Sequence, residues 1–304
     1  MKILINRKPV EGPWGGGNLF VRAFCDYFTG MGHKVVHKLE HDVDVMFMQD
    51  PRYSDLGISI NELLKFKQMN PSVPLIHRVN ECDARKGTND IDKLLRECSK
   101  YTDLTIFVSN WMEEHHREKG WNCDLSSVVY NGVNQDHFKK RKKIDNGKIN
   151  IVTHHWSDNP LKGEDVYEFL DDLVGRNPDT MTFTYIGRTK SNFKNSKVVK
   201  PLFGLDLGKE LSKYDIYVSG SRNDPGPNHI LESLSCEIPT ICHLDGGGAV
   251  EFCGDNMTFS DLNHLKEMIQ MKNLSNNKII VYDWNKCMSE VMKSMELVCD
   301  LHIP

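Results

Sequence analysis

Residues 2–37 read KILINRKPVEGPWGGGNLFVRAFCDYFTGMGHKVVH, and this stretch decides the fold. The apolar run at 2–6 predicts a buried strand, and the glycines that follow it predict a turn. A helix is predicted from about Asn18, because apolar residues recur there at helical spacing on one face. These residues are Phe20, Ala23, Phe24, Tyr27 and Phe28. Two glycines then end the helix and a second strand is predicted at 34–37, so the order is that of a parallel sheet with a crossover helix.

The same alternation of short apolar runs and amphipathic stretches continues along the chain and restarts in its second half. In the first half, further strands are predicted at 43–48, 75–79, 104–108 and 127–130, with helices near 59–69, 90–98 and 111–119. In the second half, strands are predicted at 150–153, 182–186, 198–199, 216–219, 240–242 and 257–259, with helices near 163–173, 228–236 and 283–298. The predicted fold class is α/β, with two Rossmann-like, doubly wound parallel-sheet domains that face each other.

A basic run at 139–143, followed by Asp-Asn-Gly at 145–147, separates the two halves. A charged, turn-rich stretch of this kind is typical of a solvated linker, although contact with a nucleic acid or an anionic acceptor is an alternative. We therefore place the first domain at 1–145 and the second at 146–285. A C-terminal helix in 286–304 is expected to pack back toward the first domain.

The composition argues against several classes of protein. With 38 basic and 42 acidic residues, the formal net charge is −4, which does not favour a protein that grips a nucleic-acid backbone. No apolar run approaches the roughly 20 residues that span a bilayer, and the N-terminus does not resemble a signal peptide. The nine cysteines lack the spacing of a zinc site. We therefore expect reduced thiols and a cytoplasmic location.

No metal site is predicted. Asp42 and Asp44 match the letters of a DxD metal motif, but they lie at the start of an apolar strand and are interpreted as strand-edge polarity. Histidines occur in adjacent pairs at 115–116 and 154–155, and neighbouring side chains on a strand or helix point in different directions.

A glycine-rich turn, Gly15-Gly16-Gly17, lies between the first predicted strand and the first predicted helix. Glycines let the backbone approach a ligand closely, and the start of a helix offers free N–H groups and the positive end of the helix dipole. The turn therefore predicts a phosphate contact, with a purely structural turn as the alternative.

Two loops in the second half follow predicted strands and carry polar side chains. In the first, Ser157 leads to Lys162 beside the start of a helix, where a lysine favours an anion. In the second, Asp224 lies in a proline-containing loop, Asn228 can cap the next helix, and Glu232 lies about one turn into it. Carboxylates at the carboxyl edge of a parallel sheet suit sugar and ribose hydroxyls.

Taken in order, these residues resemble the family 4 glycosyltransferases of the GT-B fold, and the resemblance covers nearly the whole chain. It rests on the glycine turn with Gly32-His33-Lys34-Val35, Val108-Ser109-Asn110-Trp111, Asn131-Gly132-Val133-Asn134 with Phe138, Lys162-Gly163, Asp224 with Glu232, Gly246 to Glu251, and Trp284. Asp224 and Glu232 have the spacing of the E-x7-E motif of that family.

The resemblance implies roles for individual residues. Lys162, Ser157, Gly16 and Gly17 would bind the donor diphosphate. Glu232 would hold the ribose, and the donor ribose and sugar would be lined by Gly226, Pro227, Asn228, His229 and Leu231. Asp224 would contact the sugar as a catalytic residue. His77 is assigned to the acceptor side of the catalytic site, with a structural histidine as the alternative. The resemblance also implies that the domain at 1–145 lies on the acceptor side and that the domain at 146–285 binds the nucleotide sugar.

The sequence departs from the family pattern at two positions. Asp224 replaces the usual glutamate and is one methylene shorter. Ser157 stands where the family has an arginine, so the resemblance implies that another group helps with the charge of the diphosphate. His154, His155 and Arg188 are the candidates.

The activity implied by the resemblance is retaining transfer of a hexose from a UDP- or GDP-sugar to a hydroxyl of a glycan or another acceptor, without a cofactor or a metal ion. One alternative is an epimerase of UDP-sugars on the same fold, which needs no acceptor. Another is a non-catalytic subunit that binds nucleotide sugars. Modified DNA as the acceptor is disfavoured by the net charge.

Overall fold

The computed structural model describes residues 1–12, 15–121, 123–271, 274–276 and 281–301. The chain divides into two compact units. Unit 1 comprises Met1–Gly132 together with the chain from Trp284, and unit 2 comprises Val133–Asp283. Unit 1 is therefore discontinuous in sequence, and unit 2 is inserted between its two segments.

Unit 1 contains a six-stranded parallel sheet with the spatial order β2–β1–β3–β4–β5–β6. The strands are β1 Lys2–Ile5, β2 Lys34–Val36, β3 Val45–Met48, β4 Leu75–Val79, β5 Leu104–Phe107 and β6 Ser126–Val128. The helices between them are α1 Gly16–Gly30, α2 Ile60–Met69, α3 Asp83–Lys86, α4 Ile91–Ser99 and α5 Asn110–Glu118. This confirms a Rossmann-like parallel sheet in the first half of the chain.

Unit 2 contains a second six-stranded parallel sheet, with the order β12–β11–β10–β7–β8–β9. The strands are β7 Ile149–His155, β8 Met181–Gly187, β9 Lys197–Val199, β10 Ile216–Ser219, β11 Thr240–His243 and β12 Thr258–Phe259. The helices are α6 Glu164–Arg176, α7 Gly204–Leu211, α8 Asn228–Ser235, α9 Gly248–Cys253 and α10 Leu262–Gln270. The predicted α/β class with two Rossmann-like sheets is confirmed.

The C-terminal helix α11, Trp284–Leu301, belongs to unit 1. One apolar face of it, formed by Cys287, Met288, Val291, Met295 and Val298, is buried in the same cluster as the phenylalanines of α1. The apolar side chains of α1 pack on β1, β3, β4 and β5 in that cluster. Burial of apolar surface therefore ties the end of the chain to its beginning.

Several elements were not predicted from the sequence, among them α7. Two of its eight residues, Gly204 and Gly208, are glycines, which weaken a helical pattern. Gly208 is needed because an added Cβ would lie 2.0 Å from the carbonyl oxygen of His137. A close backbone contact therefore outweighs intrinsic helix propensity here.

The carboxylates of the DxD stretch lie just before β3. The backbone N–H of Lys2 donates to Asp44 Oδ2 at 2.6 Å, and the Lys2 ammonium forms an ion pair with Asp42. In the part of the chain that the structure describes, no three His, Cys, Asp or Glu side chains come together as a metal site would require. Nor does that part contain a helix with the length and apolarity to cross a membrane.

A reversal of strand order in unit 2 positions its loops. From β7, the chain adds β8 and β9 on one side and then returns to add β10, β11 and β12 on the other. The loops that follow β7 and β10 therefore open side by side at the carboxyl edge of the sheet, which is where open α/β folds bind ligands. Gly163 in the first loop has φ +93°, and an added Cβ would lie 2.3 Å from the carbonyl oxygen of Gly220 in the second.

This close approach predicts a difference between two glycine variants. Gly147→Ala places a Cβ at φ +71° with no atom within 4 Å, so it should cost about 1 kcal/mol from backbone strain alone. Gly163→Ala adds a clash between two loops and should cost about 1–3 kcal/mol more. Thermal unfolding should therefore show a lower Tm for Gly163→Ala, and equal Tm values would contradict the loop contact.

Candidate functional site

Backbone hydrogen bonds join three loops at the carboxyl edge of the sheet in unit 2. Arg222 N–H donates to the carbonyl oxygen of Leu161 at 2.9 Å, which links the loops after β10 and β7. Asp224 N–H donates to the carbonyl of Gly246 at 3.2 Å, and Gly248 N–H donates back to the carbonyl of Asp224 at 2.9 Å. These bonds fix the backbone on both sides of the Asp224 carboxylate.

The predicted lysine and the predicted catalytic carboxylate meet in this site. Lys162 ends a short 3₁₀ turn, Pro160–Lys162, in which the Asn159 side chain accepts a hydrogen bond from the Leu161 N–H. Its ammonium lies 3.2 Å from Asp224 Oδ2, and the two side chains are only 19% and 9% exposed. The Ser221 hydroxyl lies 3.4 Å from the same oxygen. A partly buried cation and anion therefore balance each other at the carboxyl edge of the sheet.

Glu232, the predicted ribose ligand, lies in α8 and contacts the end of β7. His154 Nε2 and Glu232 Oε2 are 2.8 Å apart, and the side chains are 9% and 14% exposed. The sequence analysis placed these residues in the same region but did not predict the contact, because they are separated by 78 positions in the chain.

His229, another predicted donor residue, connects two parts of the site. Its Nε2 lies 2.9 Å from Ser219 Oγ at the end of β10, and its Nδ1 lies 4.0 Å from Asp224 Oδ2. Leu231 is 1% exposed and faces the interior of unit 2, so its side chain packs rather than lining the crevice. The other predicted donor residues, Gly226, Pro227 and Asn228, lie at the start of α8.

Ser157 stands where the family pattern has an arginine, and the groups that could supply its positive charge make different contacts in unit 2. Ser157 lies half-buried in the loop after β7. His154 pairs with Glu232, and His155 contacts the hydroxyl of Tyr167. Arg188 stacks its guanidinium over the Trp156 ring, 4.2 Å from the centroid, and no carboxylate among the described residues forms an ion pair with it.

Arg222 differs from Arg188 in this respect. Its guanidinium makes two hydrogen bonds to the carboxylate of Asp165, at 2.9 and 2.6 Å. The bidentate contact holds the pKa of the Asp165 carboxyl below its usual range. Asp165 lies in the first turn of α6, beside Lys162. Its negative charge therefore complements the positive end of that helix dipole.

Unit 1 has a polar site of its own at the start of α1, where Gly16 and Gly17 lie. An added Cβ on Gly17 would lie 3.4 Å from Gln49 Nε2 and 3.5 Å from Asn80 Nδ2. Two side-chain amides therefore converge on the start of a helix that has no side-chain cap and no acidic residue in its first turn. Such a set of N–H donors suits an oxyanion.

Arg78 orients one of these amides, that of Gln49. It is 1% exposed, donates to Gln49 Oε1 at 3.2 Å and to Asn131 Oδ1, and lies over the Phe20 ring at 3.8 Å from its centroid. Burial lowers the pKa of Arg78 to about 10. Because a guanidinium cannot accept a hydrogen bond, it fixes the amide oxygen of Gln49 inward and leaves the NH₂ group outward.

Gln49, Arg78 and Asn80 were not predicted as site residues from the sequence. A usable signal was present, since Gln49 directly follows β3, Arg78 lies near the end of β4 and Asn80 directly follows it. A search of the polar residues at the carboxyl ends of the predicted strands would have found all three.

His77 lies in the interior of unit 1. It is 0% exposed, is paired with Thr105 across β4 and β5, and has its ring 6.0 Å from that of Trp121. Burial lowers the pKa of His77 to about 3, so the imidazole is neutral at physiological pH. The predicted acceptor-side role of His77 is therefore not supported, because its buried ring has no access to an acceptor.

The Lys162–Asp224 contact predicts that removing the charge of Asp224 strengthens the binding of an anion to Lys162. An incoming anion must compete with Asp224 for Lys162, so Asp224→Asn should raise the affinity for inorganic pyrophosphate by about fivefold, equivalent to about 1 kcal/mol. Isothermal titration measures this. Asp245→Asn is the matched control, because it removes the same charge from a neighbouring loop with a side chain that is 70% exposed. An equal effect of the two variants would contradict the competition.

No protein-family model and no curated protein matches the chain. Solved structures match over nearly its whole length. HepE of Anabaena, in complex with UDP and glucose, has 12% identity and a TM-score of 0.69 over 97% of this chain and 99% of that chain. Sucrose-phosphate synthase from Thermosynechococcus elongatus has 14% identity and a TM-score of 0.62 over 98% and 96%. WaaG, a glycosyltransferase involved in lipopolysaccharide biosynthesis, has 11% identity and a TM-score of 0.59 over 99% and 93%.

At these identities the likeness establishes the architecture. The two parallel sheets, their strand orders and the return of α11 to unit 1 together give this chain the GT-B fold.

Proposed function

We propose that this protein is a retaining glycosyltransferase that moves a hexose from a nucleoside diphosphate sugar to a hydroxyl of a glycan or another acceptor. The observation that carries the proposal is the convergence of Lys162, Asp224 and Glu232 at the point where strand order reverses in unit 2. Two similar structures, both of HepE, are complexes with UDP-glucose and with UDP and glucose, so UDP-sugars are favoured over GDP-sugars as the donor.

The donor would be held by side chains of both charges. Lys162 would bind the diphosphate, with Arg188 as a second cation near the same sheet edge, because guanidinium and ammonium groups pair with phosphate oxygens. Glu232 would accept hydrogen bonds from the ribose hydroxyls. In unit 1, the donors around Gly17 would offer N–H groups to an oxyanion such as a phosphate.

In the proposed transfer, the acceptor oxygen forms a bond to the anomeric carbon on the face from which the nucleoside diphosphate leaves. The bond from the anomeric carbon to the phosphate oxygen breaks, and its electron pair stays with the diphosphate. The acceptor proton passes to the leaving phosphate oxygen. Lys162 stabilises the negative charge that develops there, which is the role that a fixed cation plays in a dry site.

Asp224 would contact the sugar and support charge at the anomeric carbon. The backbone that carries this side chain is fixed, because it is hydrogen-bonded to residues 246 and 248. Release of Lys162 to the diphosphate would leave the Asp224 carboxylate available to the sugar. The proposed reaction needs no cofactor or metal ion, since these residues supply the charges.

We propose a cytoplasmic location for this activity. The nine cysteines are free thiols in the structure, and seven of them are buried. Free thiols at these positions fit a reducing compartment.

One observation favours a second candidate function, that of a non-catalytic subunit that binds nucleotide sugars. Asp224 is tied to Lys162, and the carboxylate is one methylene shorter than the glutamate of the family pattern. Donor binding without transfer to any acceptor, and without hydrolysis, would favour this function over the transferase.

The proposal is tested by titration and hydrolysis assays with UDP, GDP, ADP and CDP and their common sugars. One nucleoside diphosphate should bind, and Lys162→Ala should weaken it by roughly tenfold to a hundredfold, because a charge-assisted contact contributes about 1.5–3 kcal/mol. Glu232→Ala should weaken it as well.

Lys140→Ala is the matched control for the lysine. Lys140 also pairs with a carboxylate of unit 2, that of Glu237, but it is 67% exposed and belongs to the basic run. Its loss should leave nucleotide affinity unchanged. Absence of binding by all four nucleotides to the folded protein, or equal losses in Lys162→Ala and Lys140→Ala, would refute the assigned donor site.

A further inference from the structure

We infer that His154 is a positioning residue that fixes the Glu232 carboxylate and thereby makes the protein discriminate ribose from deoxyribose in the nucleotide. The inference rests on the proposed function, because it assigns Glu232 to the ribose. It adds a residue that the E-x7-E spacing does not include and that lies on a different element, at the end of β7.

His154 is held on several sides. Its backbone N–H donates to the hydroxyl of Tyr217 at 3.2 Å, and its ring packs edge-on against the Tyr217 ring at 5.5 Å between centroids. A third contact is the His229 ring, at 6.2 Å. Tyr217 is 0% exposed and lies in β10, next to β7 in the sheet. The imidazole therefore has one orientation, set by the interior of unit 2.

The hydrogen bond to Glu232 determines where the proton of His154 lies. A carboxylate only accepts, so Nε2 carries the hydrogen that it shares with Glu232 Oε2 at 2.8 Å. His154 Nδ1 is buried without a hydrogen-bond partner in the structure. The imidazole is therefore held to Glu232 through Nε2 alone.

This arrangement leaves one carboxylate oxygen of Glu232 for the ligand. With Oε2 engaged by His154, the side chain is held in one rotamer and Oε1 is the acceptor for ribose hydroxyls. A carboxylate that is fixed before binding loses less conformational entropy when the ligand arrives. A site built to bind a hydroxyl rejects the analogue that lacks it, because the carboxylate is then left unpaired in a mostly buried position.

The test compares UDP with its 2′-deoxy and 3′-deoxy forms by isothermal titration. Wild-type protein should bind UDP at least about tenfold more tightly than one of the deoxy forms, the effect of one hydrogen bond to a charged group. His154→Ala should reduce this ratio to within about threefold of one. His154→Gln should restore most of it, because the glutamine Nε2 can donate to Glu232.

The ratio of the affinities for UDP and its deoxy forms distinguishes loss of the Glu232 orientation from general damage to the fold. Loss of packing would weaken UDP and its deoxy forms by the same factor and leave the ratio unchanged. His155→Ala is the matched control, since it removes the adjacent imidazole of β7, which contacts Tyr167 rather than Glu232. It should preserve the ratio even if overall affinity falls.

A second measurement covers the case in which His154→Ala does not fold. Glu232→Gln should lower the ratio by itself, and adding His154→Gln to it should lower the ratio no further, because the two residues act as one unit. A wild-type ratio near one, or an unchanged ratio in folded His154→Ala, would overturn the inference while UDP binding leaves the proposed function intact. Failure of every nucleotide to bind would overturn both.

Discussion

The reversal of strand order between β7 and β10 is the constraint on which unit 2 depends. It brings two loops together at one sheet edge, and the backbone contact between Gly163 and Gly220 leaves no room for a side chain there. Because the loops meet at this distance, residues far apart in sequence are brought within hydrogen-bonding range. The contacts of Lys162 and His154 with their carboxylates both follow from it.

Buried charge sets the chemistry of the same edge. The charged side chains of Lys162, Asp224 and Glu232 are largely withdrawn from solvent, where an unpaired charge costs several kcal/mol. Contacts with Asp224 and with His154 meet that cost for Lys162 and Glu232, so the proposed donor diphosphate would have to displace Asp224 from Lys162. The contact between His154 and Glu232 would leave one carboxylate oxygen available to the ribose.

The sequence was sufficient for the fold class and for most strands, because short apolar runs that alternate with amphipathic stretches give a clear local signal. It was insufficient for α7, where Gly208 is required by a backbone contact with His137 that no local pattern reveals. Lys162 and Asp224 were found through loop chemistry, yet their mutual contact depends on tertiary structure. His77 shows the same limit, because a histidine in a strand gives the same sequence pattern whether its side chain is buried or exposed.

The most direct test of the donor site is hydrogen–deuterium exchange with and without saturating UDP. We expect slower exchange in the segments 154–164 and 220–232, because a bound nucleotide would join the loops after β7 and β10 and reduce their opening. The edge strand β9 and the basic run at 139–143 should exchange at unchanged rates. Protection confined to β9 and the basic run, or no protection at saturation, would contradict a donor site at the strand-order reversal.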